Sequence, residues 1–194
     1  MKTPRWRVAV IDDHARSQAE IAAAISQAGG GVVAASASSR DAVPLIGRVR
    51  PDVAIFAVGL GDGDGVAAAR AVMAESPCPI VLFTSHRGDE LIERATGAGV
   101  MAYLLKPLRP EELPPALDLA IARFREIRDL RQRLEARKLI ERAKGLLMAR
   151  RGLSEEEAFH TLRRTAMNHR RSMAQIARAV ILAESLGREV AGDG

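Results

Sequence analysis

The chain has 194 residues, 47% of them hydrophobic, which supports one large or two small packed domains and excludes a wholly disordered chain. Aromatic residues make up only 3%, so a sheet tiled with Phe and Tyr for base stacking is excluded, and any nucleic-acid surface must rely on Arg and Lys. The single cysteine, Cys78, excludes an internal disulfide and a cysteine-cluster zinc site, and reads as a small buried residue.

The net charge of +5 is unevenly spread: residues 1–120 hold 12 Lys and Arg against 14 Asp and Glu, whereas residues 121–188 hold 17 against 8. A near-neutral first part joined to a basic second part points to a controlling module attached to one that binds a polyanion. No apolar stretch approaches membrane-spanning length, and Met1 to Arg7 lacks the hydrophobic segment of a secretory signal, so a cytoplasmic protein with no membrane partner is expected.

Five short β-branched runs read as strands: 7–11, 31–35, 53–58, 79–83 and 101–105. Each pair is separated by a segment long enough for a crossover helix. Runs that are apolar on both faces and alternate with helices predict a five-stranded parallel, doubly wound α/β sheet of the flavodoxin-like class. In such sheets polar chemistry gathers beyond the carboxyl ends of the strands. Asp12 and Asp13 follow the first run, Thr84 the fourth and Lys106-Pro107 the fifth. Two adjacent carboxylates there form a partial shell for Mg²⁺, while a Lys and a hydroxyl suit phosphoryl oxygens.

From Pro110 the pattern becomes nearly continuous helix, with Pro114 and Pro115 expected to delay or kink its start. Ala120, Phe124, Ile127, Arg131 and Leu134 follow a 3,4 spacing that allows a short coiled coil or an amphipathic helix lying on its own domain. Ser154 with Glu157, and Ser172 with Gln175, match the capping-box spacing. The basic part therefore reads as a small three-helix domain: a long helix ending near Gly152, then helices over about 155–168 and 173–185. Leu139, Ala143, Leu146, Leu147, Met148, Ala158, Leu162, Ala166, Ile176 and Val180 recur at helical spacing as its core. The other faces carry Arg142, Lys144, Arg150, Arg151, Arg163, Arg164, His169, Arg170 and Arg171. These are the candidate phosphate and base contacts, several with Glu141 or Glu155 to Glu157 at hand as ion-pair partners. His160 and His169 have no carboxylate or thiol companions at metal-ligand spacing and read as surface residues.

Residues 5–120 resemble the receiver domain of bacterial two-component response regulators, through Asp12, Asp13, Thr84, the aromatic Tyr103 and Lys106-Pro107. The resemblance implies that the acidic pair holds Mg²⁺, that Thr84 and Lys106 face a phosphoryl group, and that an Asp ending the third strand accepts it. Leu60 and Asp64-Gly65 match the loop after that acceptor, and counting back places the acceptor position at Ala57. A methyl group cannot attack phosphorus. Asp62 and Asp64 are the nearby substitutes, both in the loop. "DGDG" fits neither a calcium loop, lacking the later bidentate Glu, nor a dinucleotide fingerprint, because Asp64 stands where a third Gly is needed. Ala57 reads either as a natural loss of phosphorylation or as a deliberate Asp-to-Ala change; survival of the other four residues favours a recent or deliberate one. Mg²⁺ is accommodated but not required.

Residues 134–188, with "ERAKGLLM", "SEEEAF", "LRRTAM" and "IARAVI", resemble the ANTAR domain, a three-helix RNA-binding module of antitermination regulators. The resemblance implies binding to paired hairpins in leader mRNA, in a homodimer formed through a helical linker over 116–136. It also implies control by a sensor kinase or, with Ala57 natural, by a sequestering regulatory protein. The expectation is a transcription antiterminator and not an enzyme. A DNA-binding response regulator, or a protein-docking scaffold without nucleic-acid binding, remains the alternative.

Overall fold

The computed structural model describes residues 4–85 and 88–192, with side chains as far as 186. The chain divides into two compact units, Met1–Glu126 and Ile127–Gly194. In the first lie β1 (Arg7–Ile11), α1 (Ala15–Gln27), β2 (Gly31–Ser36), α2 (Ala42–Val49), β3 (Val53–Ala57), the two-residue strands β4 (Gly59–Leu60) and β5 (Gly63–Asp64), α3 (Gly65–Glu75), β6 (Ile80–Thr84), α4 (Asp89–Gly97) and β7 (Ala102–Leu105). The long helix α5 (Leu113–Arg151) begins in this unit.

The main sheet has the order β2-β1-β3-β6-β7, parallel throughout, which is the expected doubly wound architecture. Successive side chains on a strand point to opposite faces, so each apolar strand supplies two cores. Val8, Val10, Ile55, Val81 and Phe83 meet α1 and α5 on one side. Ala9, Ile11, Phe56, Ile80 and Leu82 meet α2 and α3 on the other. Burying side chains of this size contributes about 1.5–3 kcal/mol each, and that gain dictates burial of both faces. Polar groups are thereby confined to the strand ends.

Several boundaries differ from expectation. Thr84 is the last residue of β6 rather than the residue after it, and β3 ends at Ala57. Pro114 and Pro115 do not delay α5; they occupy its first turn, where amide hydrogens have no helical partner to lose, after a 3-10 turn over Pro110–Glu112. The hairpin of β4 and β5 has no hydrophobic alternation to announce it.

The start of the chain is fastened to α5 through Trp6, which is buried; its Nε1–H donates to Asp118 Oδ1 at 2.9 Å. Arg5 pairs with the same carboxylate and lies over the indole ring, 4.1 Å from its centroid.

The second unit contains the rest of α5, then α6 (Glu155–Asn168) and α7 (Met173–Gly192). Gly152, at φ 64°, ends α5 in the left-handed region open to glycine, its N–H donating to the Met148 carbonyl. Both capping boxes form. Ser154 N–H donates to Glu157 Oε2 at 2.8 Å and Glu157 N–H to Ser154 Oγ at 3.3 Å; Ser172 and Gln175 exchange the same pair of bonds. Ala143, Leu147, Ala158, Leu162 and Ala177 form the core, flanked by Leu139, Ile140, Leu153, Met173, Ile176, Val180 and Ile181. Met148 is a correction: it is 39% exposed, on the face of α5 away from that core. Of the 3,4 series on α5, Ala120 and Phe124 belong to the sheet's core, as in an amphipathic helix lying on its own domain, while Ile127 and Leu134, with Leu130 between them, are exposed.

Two expectations follow. Asp118→Ala leaves the buried indole N–H without its acceptor and lowers first-unit stability by about 1–3 kcal/mol. Urea unfolding followed by the fluorescence of Trp6, the sole tryptophan, measures this. Asp118→Asn, which keeps an oxygen acceptor, loses less. In the second unit, Ser154→Ala removes an N-cap worth about 1 kcal/mol. Hydrogen bonds from the Ser154 amide and hydroxyl hold the Glu157 carboxyl below its usual range, and Lys144 does the same for Glu155. Both folded-state values are depressed, so this stability is present above the unfolded Glu value of about 4.3 and is lost as pH falls from there through the lower folded values. Helical circular dichroism against pH should show a shallower acid loss in Ser154→Ala.

Candidate functional site

The parallel sheet delivers Asp12, Asp13, Ala57, Thr84 and Lys106 to one edge. Asp12 follows β1, Ala57 ends β3 opposite Phe83 of β6, and Thr84 ends β6 opposite Leu105 of β7. Lys106 follows β7, its N–H donating to the Thr84 carbonyl at 2.8 Å, and the Lys106-Pro107 bond is cis.

Asp12 is fully buried, and both its oxygens are satisfied. Oδ1 accepts the His14 backbone N–H at 2.8 Å and Oδ2 accepts Lys106 Nζ at 2.9 Å. Lys106 Nζ also reaches Ser17 Oγ at 3.2 Å and lies 4.9 Å from the Phe83 ring centroid. Asp13 is more open: Oδ1 is 2.6 Å from His14 Nδ1 and Oδ2 accepts the Gly61 N–H at 2.7 Å. Burial raises its pKa, but the bonds from Gly61 and His14 outweigh that and hold the carboxyl below its usual range. Asp12, Asp13 and His14 bring one ligand atom each within 4.8 Å of one another. Two carboxylates suit a hard cation such as Mg²⁺ in donor type. Each oxygen has one partner within the protein and keeps acceptor capacity for a cation, with the Lys106 ammonium balancing the charge of Asp12. His14 was not foreseen, although it directly follows the acidic pair.

Ala57 is 2% exposed, and its carbonyl explains the glycine that follows the loop. A Cβ added at Gly65 would lie 1.7 Å from the Ala57 oxygen, a backbone atom that cannot yield, so only glycine fits there. Beside it, Asp64 caps α3 by accepting the Val66 N–H at 2.8 Å and pairs with Arg94 of α4. Asp62 is tied to the loop after β2: Ser38 Oγ donates to it at 2.6 Å and Ser39 N–H at 2.9 Å, which together draw its pKa down to about 2. Both loop aspartates are thus engaged in holding the loop. Thr84 is buried, and Tyr103 is exposed beside an apolar cavity of about 250 Å³ that Thr84, Ile92 and Leu105 also line.

In the second unit the basic candidates separate into two groups. Lys144, one of the candidate phosphate contacts, is engaged within the protein. Its side chain is only 10% exposed and its ammonium bridges Glu155 Oε1 at 2.7 Å and Glu141 Oε2 at 2.9 Å, which raises its pKa and makes it a tie between α5 and α6. Arg150 pairs with Glu184. By contrast Arg142, Arg151, Arg163, Arg164, His169, Arg170 and Arg171 are exposed, and among the described residues no ion pair engages them. Arg163 and Arg164 lie on α6, and His169 to Arg171 on the turn that follows it. That face can neutralise a string of phosphates. His160 is exposed with Glu156 3.7 Å away, and Cys78 is buried, its thiol pushed up to about 12 by desolvation. Among the described residues no helix is long and apolar enough to cross a membrane.

Comparison with known proteins accounts for both units. The response regulator receiver domain matches residues 8–118, and the ANTAR domain matches residues 128–181. The transcriptional regulatory protein PdtaR of Mycobacterium tuberculosis is 38% identical over 188 residues, covering 93% of this chain and 91% of that protein. The nitrate regulatory protein of Klebsiella oxytoca is 43% identical over 63 residues, 32% of this chain and 16% of that protein. Among solved structures, the receiver domain of a modulated diguanylate cyclase from Desulfovibrio desulfuricans aligns with a TM-score of 0.58 and 26% identity, over 64% of this chain and 98% of that one. Two domain families matched in sequence order, with a relative alike along nearly the whole chain, place this chain among the response regulators that join a receiver domain to an ANTAR domain, a family of regulatory proteins and not of enzymes.

Proposed function

We propose that this chain is a transcription antitermination regulator that binds paired hairpins in leader mRNA through its ANTAR helices, and that its receiver domain works without phosphorylation at position 57. The observation that carries the RNA reading is the coincidence of the ANTAR match with the exposed, unpaired arginines of α6 and its following turn. A helix face with so few aromatic residues suits phosphates of a folded RNA better than a bare single strand, which needs stacking platforms. Holding one hairpin prevents the competing terminator hairpin from forming. Ile127, Leu130 and Leu134 on α5 support homodimerisation: their spacing is that of a coiled-coil seam, and water is their present neighbour. Two modules joined in this way engage two hairpins with a raised effective concentration.

Ala57 occupies the place where the receiver family carries its acceptor carboxylate, and a methyl group has no lone pair with which to attack phosphorus. Asp62 and Asp64 are unsuited as replacements, because each holds the loop through bonds that attack would break. Asp12 and Asp13 would hold Mg²⁺ if it binds, and the ion would neutralise charge at the sheet edge. Regulation then falls to a protein partner that masks the basic module, with a sensor kinase relevant only where position 57 carries an Asp.

Two measurements test this. Binding of the full chain to hairpin RNA should fall steeply with salt, by about 10³-fold or more between 50 and 200 mM for six phosphate contacts. Tighter binding to duplex DNA that survives random-sequence competitor rejects the RNA reading, and affinity independent of salt rejects nucleic-acid binding altogether. Incubated with acetyl phosphate and Mg²⁺, the chain should gain no base-labile phosphoryl group, whereas Ala57→Asp should gain one per chain, visible as added mass. Sedimentation of both forms then reports whether the restored carboxylate alters dimerisation.

A further inference from the structure

The exposed face of α6 has an apolar centre. Residues three, four and seven apart share one face of a helix, so Met167 stands over Arg164, Arg163 and His160, all of them exposed. At 70% exposure Met167 is the most open of the large hydrophobic side chains among the described residues, and it takes no part in the core of its unit. Cations surround it on its own helix, and the turn beyond adds three more basic groups.

That turn is unusual in its backbone. α6 stops at Asn168, with the Arg171 N–H donating to the Ala166 carbonyl at 3.0 Å, and Arg170 adopts φ 51°. This left-handed position after a helix is one that glycine takes without steric penalty. Arg50 adopts the same region after α2, but its carbonyl accepts the Arg7 guanidinium at 2.9 Å and so helps hold the fold. Among the described residues no hydrogen bond or ion pair of the Arg170 side chain accounts for an arginine there. A disfavoured backbone kept at an exposed basic tip points to a role for the side chain itself.

We infer that Met167 is the contact through which α6 reads unpaired bases in the hairpin loop, with Arg170 fixing a phosphate of that loop beside it. The inference rests on the RNA reading above and gives it a source of sequence preference. The major groove of an A-form stem is too deep and narrow for side chains and its open minor groove is recognised mostly by shape, so sequence discrimination falls chiefly to splayed loop bases, whose flat faces need cover. Phosphates gain nothing from a thioether. A base does, because the polarisable sulfur and flexible chain of Met adapt to a ring face. Arg163 and Arg164 then supply charge and register, and Met167 supplies choice.

The test uses RNA hairpins with one constant stem and a randomised loop, captured by the full chain and sequenced. The unaltered chain should enrich particular loops. Met167→Gln, close in length and already solvated, should keep stem affinity and salt slope while losing about tenfold in loop preference, the order expected when a Met side chain leaves water. Arg163→Gln should instead weaken all loops alike and lower the salt slope by about one. Arg170→Gly should raise the Tm of the second unit yet weaken the selected loops by about tenfold. Full loop preference in Met167→Gln, a chain that binds hairpins without preferring any loop, or unchanged affinity in Arg170→Gly each overturns the inference and leaves the RNA reading standing. Failure of the unaltered chain to capture any hairpin overturns both.

Discussion

Burial of both faces of a parallel sheet is the constraint on which the first unit depends. Between their ends the interior strands β1, β3 and β6 present only apolar side chains, because a polar group there would be desolvated with no partner in reach. Ionisable groups from distant parts of the sequence are therefore driven to the carboxyl edge, where Asp12 and Lys106 meet although they are 94 residues apart. The same constraint makes that edge costly. A fully buried carboxylate is tolerated only with compensation, and Asp12 has it in the Lys106 ammonium and the His14 amide.

Compensation of this kind extends along the edge. Each carboxylate at the edge has a partner within the protein: Asp12 has Lys106, Asp13 has Gly61 and His14, Asp62 has Ser38 and Ser39, and Asp64 has Val66 and Arg94. A carboxylate has about four lone-pair sites on its two oxygens, so these contacts fix the geometry of the edge while leaving acceptor capacity for an arriving cation.

The strands are legible in the sequence because β-branched apolar runs of five residues between helical segments admit few other packings, and a parallel arrangement follows once both faces must be covered. Asp12, Asp13, Thr84 and Lys106 are legible for the same reason: strand ends can be located, and the sheet brings them together. Capping boxes at Ser154 and Ser172 are legible because their chemistry is local. What escapes the sequence depends on tertiary partners. Trp6 and Asp118 have no local relation, nor do Arg94 and Asp64. The division of α5 is of the same kind: Phe124 and Leu130 look alike in a periodic pattern until the sheet takes Phe124 and leaves Leu130 in water.

Lys144 makes the same point for the basic unit and shows why net charge is a poor guide to a binding face. It sits in a run of cations and reads like its neighbours, yet Glu141 from its own helix and Glu155 from the next enclose it. A cation with two carboxylate partners has little left for a phosphate, since the gain from one anion is offset by the loss of another. Arg150 is reduced in the same way by Glu184. Setting these two aside leaves Arg142 and Arg151 on α5, Arg163 and Arg164 on α6, and His169 to Arg171 on the turn after it. The acidic residues, by contrast, lie at the start of α6, where its amide hydrogens favour negative charge. Acids at one end and arginines at the other give α6 a direction, its carboxyl-terminal half being the basic one.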